Sequence, residues 1–113
     1  IRPMPDTTDE LSVALLRRLA EAPQTSQREL ARETGVSLGK LNYALRALID
    51  AGWVKAGNFS RNQDKFSYAY LLTPSGIEAK ARLTRAFLVR KMDEYDRLRA
   101  QIEDLQAEIG DGR

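Results

Sequence analysis

Apolar residues recur at intervals of three and four along most of this chain and at intervals of two in one short stretch, and that contrast sets the expected elements. Leu11, Leu15, Leu16 and Leu19 form one stripe, predicting a helix over Thr7–Glu21 that is opened by a Thr7–Glu10 capping box and stopped by Pro23. The preceding Ile1–Asp6, with its two prolines, reads as a loosely packed arm. Ser26 with Glu29 is a second capping box, and Thr34-Gly35-Val36 ends the short helix it opens, since Gly35 can take the left-handed conformation of a tight turn. Ser37 then caps a third helix. In it Leu38, Leu41, Leu45 and Leu48 turn inward, while Gly39, Lys40, Asn42, Tyr43 and Arg46 face outward. Gly52 stands where a C-terminal cap is expected after Ala51.

The period then changes. Trp53-Val54-Lys55 predicts a short strand, Gly57–Asp64 a polar turn-rich segment, and Phe66–Leu72 a returning strand. In that second strand Phe66, Tyr68, Tyr70 and Leu72 share one face, and Ser67, Ala69 and Leu71 the other. A two-stranded hairpin is marginal alone, so its aromatic face, with Trp53, should join the core. Thr73 as N-cap and Pro74 at the first helical position open a last helix, and neither Pro nor Gly follows Gly76 until Gly110. About 35 residues at 1.5 Å each make ~50 Å of helix. A heptad seam runs through Ile77, Ala81, Thr84, Leu88, Tyr95, Leu98, Ile102, Leu105 and Ile109, with Lys91 interrupting it. The predicted class is mainly α (α+β): a winged helix-turn-helix with a two-stranded wing hairpin and a long C-terminal coiled-coil helix. The division predicted is a DNA-binding unit over 1–72 and a dimerisation helix over 73–113 with a short disordered tail.

Composition narrows the chemistry. The 113 residues suit one domain with an appended element, and they open on Ile1 rather than Met, which implies that the natural start is absent or trimmed. There is no cysteine and no histidine, which removes disulfides, thiolate chemistry, the common zinc sites and any histidine base together. The carboxylates lie scattered among basic partners, so no catalytic site, metal site or cofactor is expected. No apolar run reaches the ~18 residues of a membrane span, and no signal-peptide pattern is present, so a cytoplasmic protein without membrane contact is expected.

The net charge is +2, and residues 25–65 alone carry +3, a moderate bias toward an anionic partner. A helix, a glycine-containing turn and a second helix with a polar outer face suit insertion into the major groove of double-stranded DNA. Asn42 matches adenine in bidentate fashion, Arg46 guanine or phosphate, and Lys40 either; Gly39 lets backbone approach closely, Ser37 caps the helix at its groove end, and Tyr43 meets a thymine methyl or a phosphate. Arg61 in the wing suits the minor groove, with Asn62 and Lys65 on phosphates. Gln27 and Arg28 open their helix where its amides can receive a phosphate. For each of these polar residues the plain alternative is a solvated surface, and for Trp53, Tyr68 and Tyr70 hairpin core is preferred over base stacking. RNA binding is disfavoured by the lack of an exposed aromatic platform. The competing functional class is a protein-interaction module in which the long helix binds a partner.

The long helix cannot bury its seam on its own chain, and a homodimer follows. Residues 77–91 carry a net charge of +4 and residues 92–113 of −4. An antiparallel pair sets each basic half against an acidic one and opposes small Ala81 and Thr84 to large Ile102 and Leu98, so antiparallel pairing is favoured.

SQRELARETGVSLGKLNYALRALIDAGWV and DKFSYAYLLTPSG resemble the MarR-type winged-helix regulators: Asp64-Lys65 match the wing base, and Leu72-Thr73 with Gly76 match an LT-x-x-G entry to the next helix. More narrowly, VSLGKLNYALRALIDAGWVK, FSYAYLLTPSGIEAKARLT and FLVRKMDEY are similar to the small MarR-type regulators associated with exopolysaccharide gene clusters. The resemblance spans roughly residues 8–105 and implies transcription regulation, with exopolysaccharide genes as targets. Ordinary members build their dimer and ligand cleft from an N-terminal and two C-terminal helices. Here the first has no counterpart, one long helix replaces the others, and Phe66 stands where a second wing Arg is common. Dimer geometry and effector are therefore not implied.

Overall fold

The computed structural model describes residues 6–58 and 68–110. The order is α1 (Asp6–Glu21), α2 (Gln27–Thr34), α3 (Leu38–Asp50), β1 (Val54–Asn58), β2 (Tyr68–Leu72) and α4 (Pro74–Gly110). This is the mainly helical winged arrangement with one antiparallel hairpin and a long last helix. The chain separates into a head, residues 1–83, and a second unit, residues 84–113. The first turns of α4 thus belong to the head: Ala79 is buried there and Leu83 packs on its core.

The core lies where α1, α2, α3 and the hairpin meet. Leu15, Leu16, Leu19, Leu30, Leu41, Leu45 and Leu48 are wholly enclosed, joined by Leu11, Ala44, Val54 and Tyr70. Each such leucine contributes about 1.5–3 kcal/mol by leaving water. The α1 stripe is buried as its spacing predicts. Ser12 and Val13 are buried as well, so α1 is covered on more than one face.

Helix ends follow the cap chemistry. The Ser26 hydroxyl accepts the Glu29 N–H at 3.1 Å, and the Ser37 hydroxyl the Lys40 N–H at 3.1 Å. Gly35 and Gly52 take positive φ, 74° and 81°. After Gly52 the chain closes a six-residue cap in which the N–H groups of Gly52 and Trp53 donate to the carbonyls of Ile49 and Leu48. Thr73 caps α4, its hydroxyl accepting the Gly76 N–H at 3.0 Å.

Several expectations need correction. α1 begins at Asp6, so Thr7 lies inside the helix rather than at its cap. The Ser26–Glu29 box is half formed: the Glu29 carboxylate turns instead to the Arg32 guanidinium one turn on. Leu38 is 43% exposed, because the first turn of α3 extends past the core and Ala44 fills the stripe in its place. β1 runs to Asn58, so Gly57 and Asn58 are ladder residues opposite Ala69 and Tyr68 rather than loop. Strict alternation fails in β2: adjacent Ala69 and Tyr70 are both buried, since helices and partner strand cover both sides of the strand there. Tyr68 is 55% exposed and meets Tyr70 edge-on at 5.4 Å between ring centres. Phe66, Ser67, the arm before Asp6 and the tail after Gly110 lie outside the described residues.

One corner ties these elements together. The ladder pairs Val54 with Leu72, and one step beyond it the Thr73 N–H donates to the Trp53 carbonyl at 3.0 Å. The Thr73 hydroxyl donates to the Gly52 carbonyl at 2.6 Å, and the Ser75 hydroxyl reaches the same oxygen at 3.1 Å. Gly76 faces this backbone so closely that a Cβ there would sit 2.0 Å from the Trp53 carbonyl oxygen. Backbone must move to admit any side chain. Gly76→Ala is therefore expected to destabilise the head by about 1–3 kcal/mol, read as a lower urea midpoint at unchanged slope; an unchanged midpoint would remove the steric account of this glycine.

Candidate nucleic-acid interface

The outer face of α3 is formed by default, because everything on its inner face is core. With Leu41, Ala44, Leu45 and Leu48 buried, Gly39, Lys40, Asn42, Tyr43 and Arg46 point to solvent. Tyr43 is 68% exposed, an unusual position for an aromatic ring with no packing role. No carboxylate occurs on α3 before Asp50 at its far end. Ser37 is spent on the cap, which leaves the backbone N–H groups of Leu38 and Gly39 ahead of the first intrahelical bond from Leu41 to Ser37. A Cβ at Gly39 would meet nothing within 4 Å, so the glycine serves no packing need inside the protein.

Charge on the head is sorted by pairing. The Arg18 guanidinium holds Glu33 through Nε at 2.7 Å and Nη2 at 3.2 Å, tying α1 to α2. Arg32 is paired with Glu29. Arg28, Lys40 and Arg46 make no ion pair with any described residue. The two arginines bound to carboxylates are therefore neutralised locally, whereas Arg28, Lys40 and Arg46 keep their full field with respect to the described residues. A sum of charges along the sequence weighs all of them alike.

Gln27 and Asn42 do not stand as independent surface residues. The Asn42 amide donates to Gln27 Oε1 at 3.2 Å, and Gln27 Nε2 donates to the Tyr70 hydroxyl at 3.1 Å. Arg28, beside Gln27 at the start of α2, is exposed. Sequence reasoning does not find the Gln27 link to Tyr70: the two are 43 residues apart, and no local pattern couples them. Arg61, Asn62 and Lys65 lie outside the described residues; the strand ends Asn58 and Tyr68 that carry the intervening segment are paired. Among the described residues no group of His, Cys, Asp or Glu gathers as metal ligands, and no helix is long and apolar enough to cross a membrane.

The seam residues of α4 fall in both units. In the head, Ile77 and Ala81 are exposed. In the second unit Thr84 is half-buried, and Leu88, Tyr95, Leu98, Ile102, Leu105 and Ile109 lie between 45 and 72% exposed. Val89 and Met92 widen the apolar stripe. Ion pairs one turn apart, Lys91–Glu94 and Asp93–Arg97, flank it.

Comparison with known proteins agrees with this geometry. Residues 8–55 match the family described as winged helix-turn-helix DNA-binding. No curated protein matches the chain. Among solved structures, the chain is similar to the transcriptional regulator BldR from Sulfolobus solfataricus (20% identity, 88% of this chain and 74% of that one, TM-score 0.59). It is similar to the MarR family protein Rv2887 of Mycobacterium tuberculosis, solved with p-aminosalicylic acid (25% identity, 84% and 76%, TM-score 0.54). It is also similar to S. aureus MepR, solved in complex with DNA (13% identity, 94% and 78%, TM-score 0.61). The chain thus carries a winged helix-turn-helix fold, and its structural neighbours include MarR-family regulators.

The Arg18–Glu33 pair yields a pH-dependent expectation. Hydrogen bonding to Arg18 holds the Glu33 carboxyl below the ordinary glutamate range, against a smaller opposing effect of burial. A lowered folded-state pKa means the pair stabilises fully above the unfolded pKa of about 4.3 and is lost as pH falls through the folded value. Glu33→Gln is expected to lower the melting temperature at pH 7, with the gap to the parent closing in increasingly acid buffers; a gap independent of pH contradicts the assignment.

Proposed function

We propose that this chain is a dimeric, sequence-specific DNA-binding transcription regulator, acting in the cytoplasm without catalysis, cofactor or membrane. The observation that carries the reading is the outer face of α3: exposed Lys40, Asn42, Tyr43 and Arg46, with both cations unpaired among the described residues and no carboxylate between them. In this reading α3 lies in the major groove. Asn42 meets a base edge, Lys40 and Arg46 a base edge or a phosphate, Gly39 and Ser37 admit close backbone approach, and Tyr43 meets a thymine methyl or phosphate. The start of α2 faces the phosphates through Arg28 and the backbone amides from Gln27 onward, the Gln27 side chain being held by Tyr70 and Asn42. The wing over 58–65 brings Arg61 to the minor groove, with Asn62 and Lys65 on the backbone. The likeness to a DNA-bound MepR supports the partner class. The resemblance to exopolysaccharide-associated regulators makes exopolysaccharide genes the targets proposed.

The second copy of the reader comes from α4. Its apolar stripe pairs with the same stripe of another chain, antiparallel, so that each basic 77–91 half meets an acidic 92–113 half. The dimer interface proposed comprises Ile77, Ala81, Thr84, Leu88, Tyr95, Leu98, Ile102, Leu105 and Ile109.

Three measurements test these statements. Selection of bound fragments from genomic DNA should return a two-half-site sequence. Lys40→Ala with Arg46→Ala should weaken binding to that fragment by on the order of 100-fold, and should flatten the salt dependence by about one logarithmic unit for each phosphate no longer neutralised. Equal affinity of parent and double variant at every salt concentration would transfer DNA binding to another surface and leave a protein-interaction role for α3. Spin labels at Gln106 should lie about 40 Å apart across an antiparallel pair; a separation near two helix diameters means a parallel one.

A further inference from the structure

Tyr70 is buried to 7% exposure, and its backbone is held on two sides, by ladder pairing with Ala56 and by donation of its N–H to the Pro23 carbonyl at 2.9 Å. Its hydroxyl is therefore a fixed point beside the start of α2. Gln27, at the first position of that helix, places its amide nitrogen 3.1 Å from this hydroxyl. An amide has two unlike ends. Once the nitrogen is committed to Tyr70, the oxygen faces α3, and there it accepts from Asn42 Nδ2 at 3.2 Å. In this arrangement Asn42 turns its own nitrogen inward, leaving its oxygen and one remaining N–H to the solvent side.

We propose that Tyr70 and Gln27 are positioning residues that hold the Asn42 amide in one place and one plane, where its oxygen and remaining N–H can meet an amine donor beside a ring-nitrogen acceptor, which in the major groove is adenine. The inference rests on the reading of α3 as the groove helix, and it adds a residue 28 positions from Asn42 that never touches DNA. Guanine and thymine set a carbonyl where the Asn42 oxygen would lie, two acceptors facing one another. Cytosine satisfies the oxygen and leaves the N–H unmatched. Without the Tyr70 hydroxyl, Gln27 loses its anchor and Asn42 in turn loses the partner that holds its amide in the reading position. Asn42 then samples other rotamers, and discrimination at that base pair falls while the rest of the interface stays as it was.

The test uses the full chain and a random-sequence pool of double-stranded DNA. Wild type is used to select a bound duplex, and the position read by Asn42 is the one whose preference disappears in Asn42→Ala. Competition between the selected duplex and one substituted at that base pair should show discrimination on the order of 10- to 100-fold for wild type. In Tyr70→Phe it should fall to within a few-fold, with preference at the other positions and the salt slope unchanged. Gln27→Met, at a half-buried position that packing does not demand, should give the same selective loss and keeps the test valid if Tyr70→Phe folds poorly. Full discrimination in both variants overturns the inference, as does a uniform loss at every position, which a merely structural role would produce. If wild type selects no sequence at all, the underlying regulator reading falls and takes this inference with it.

Discussion

Two consecutive backbone carbonyls, those of Gly52 and Trp53, decide how the head is assembled. The left-handed Gly52 turns the end of α3 into β1 and exposes both oxygens to the same side. Thr73 arrives there from β2 and satisfies both of them, one with its N–H and one with its hydroxyl. That hydroxyl also receives the Gly76 N–H and so opens α4. One residue thus closes the ladder, holds the end of α3 and starts the next helix. The LT-x-x-G pattern acquires a physical meaning: Thr for the three hydrogen bonds, Gly because the Trp53 carbonyl occupies the space a Cβ needs.

What could be read from the sequence was what rests on local chemistry. Gly35 and Gly52 were legible because few residues tolerate positive φ, and Ser37 and Thr73-Pro74 because cap positions accept a short list of side chains. The α1 leucines were legible because a helix must hide its stripe. Less could be read where coverage rather than periodicity decides burial. Leu38 has the right spacing but stays 43% exposed at the first turn of α3, and Tyr68 shares the Tyr70 face but sits at the end of the ladder next to the connecting segment. The extension of β1 through Gly57 and Asn58 was hidden because ladder pairing depends on the partner strand and not on the strand's own composition. At the candidate site the residue types on α3 were legible. Their mutual hydrogen bonds were not, because Gln27, Asn42 and Tyr70 meet only after three separate elements have folded.

The head sorts its polar groups by depth as well as by sign. Arg18 and Arg32 are engaged by carboxylates of α2, so α2 spends its acids on its own framework. Lys40 and Arg46 have no such partner among the described residues, and an unpaired cation is the arrangement that profits most from releasing counterions around a polyanion. Charge totals alone, +3 over residues 25–65, understate this asymmetry because they weigh a neutralised arginine equally with a free one.

The double duty of Thr73 also makes the hairpin self-correcting. A strand that slips by one residue exchanges its two faces, and in many hairpins that error costs only some side-chain burial. Here a slip also carries Thr73 away from the Trp53 and Gly52 carbonyls, so two oxygens lose their donors and α4 loses its cap in the same event. The start of the last helix therefore acts as a proofreader of strand register, coupling an error in the sheet to a penalty at the cap of the next helix.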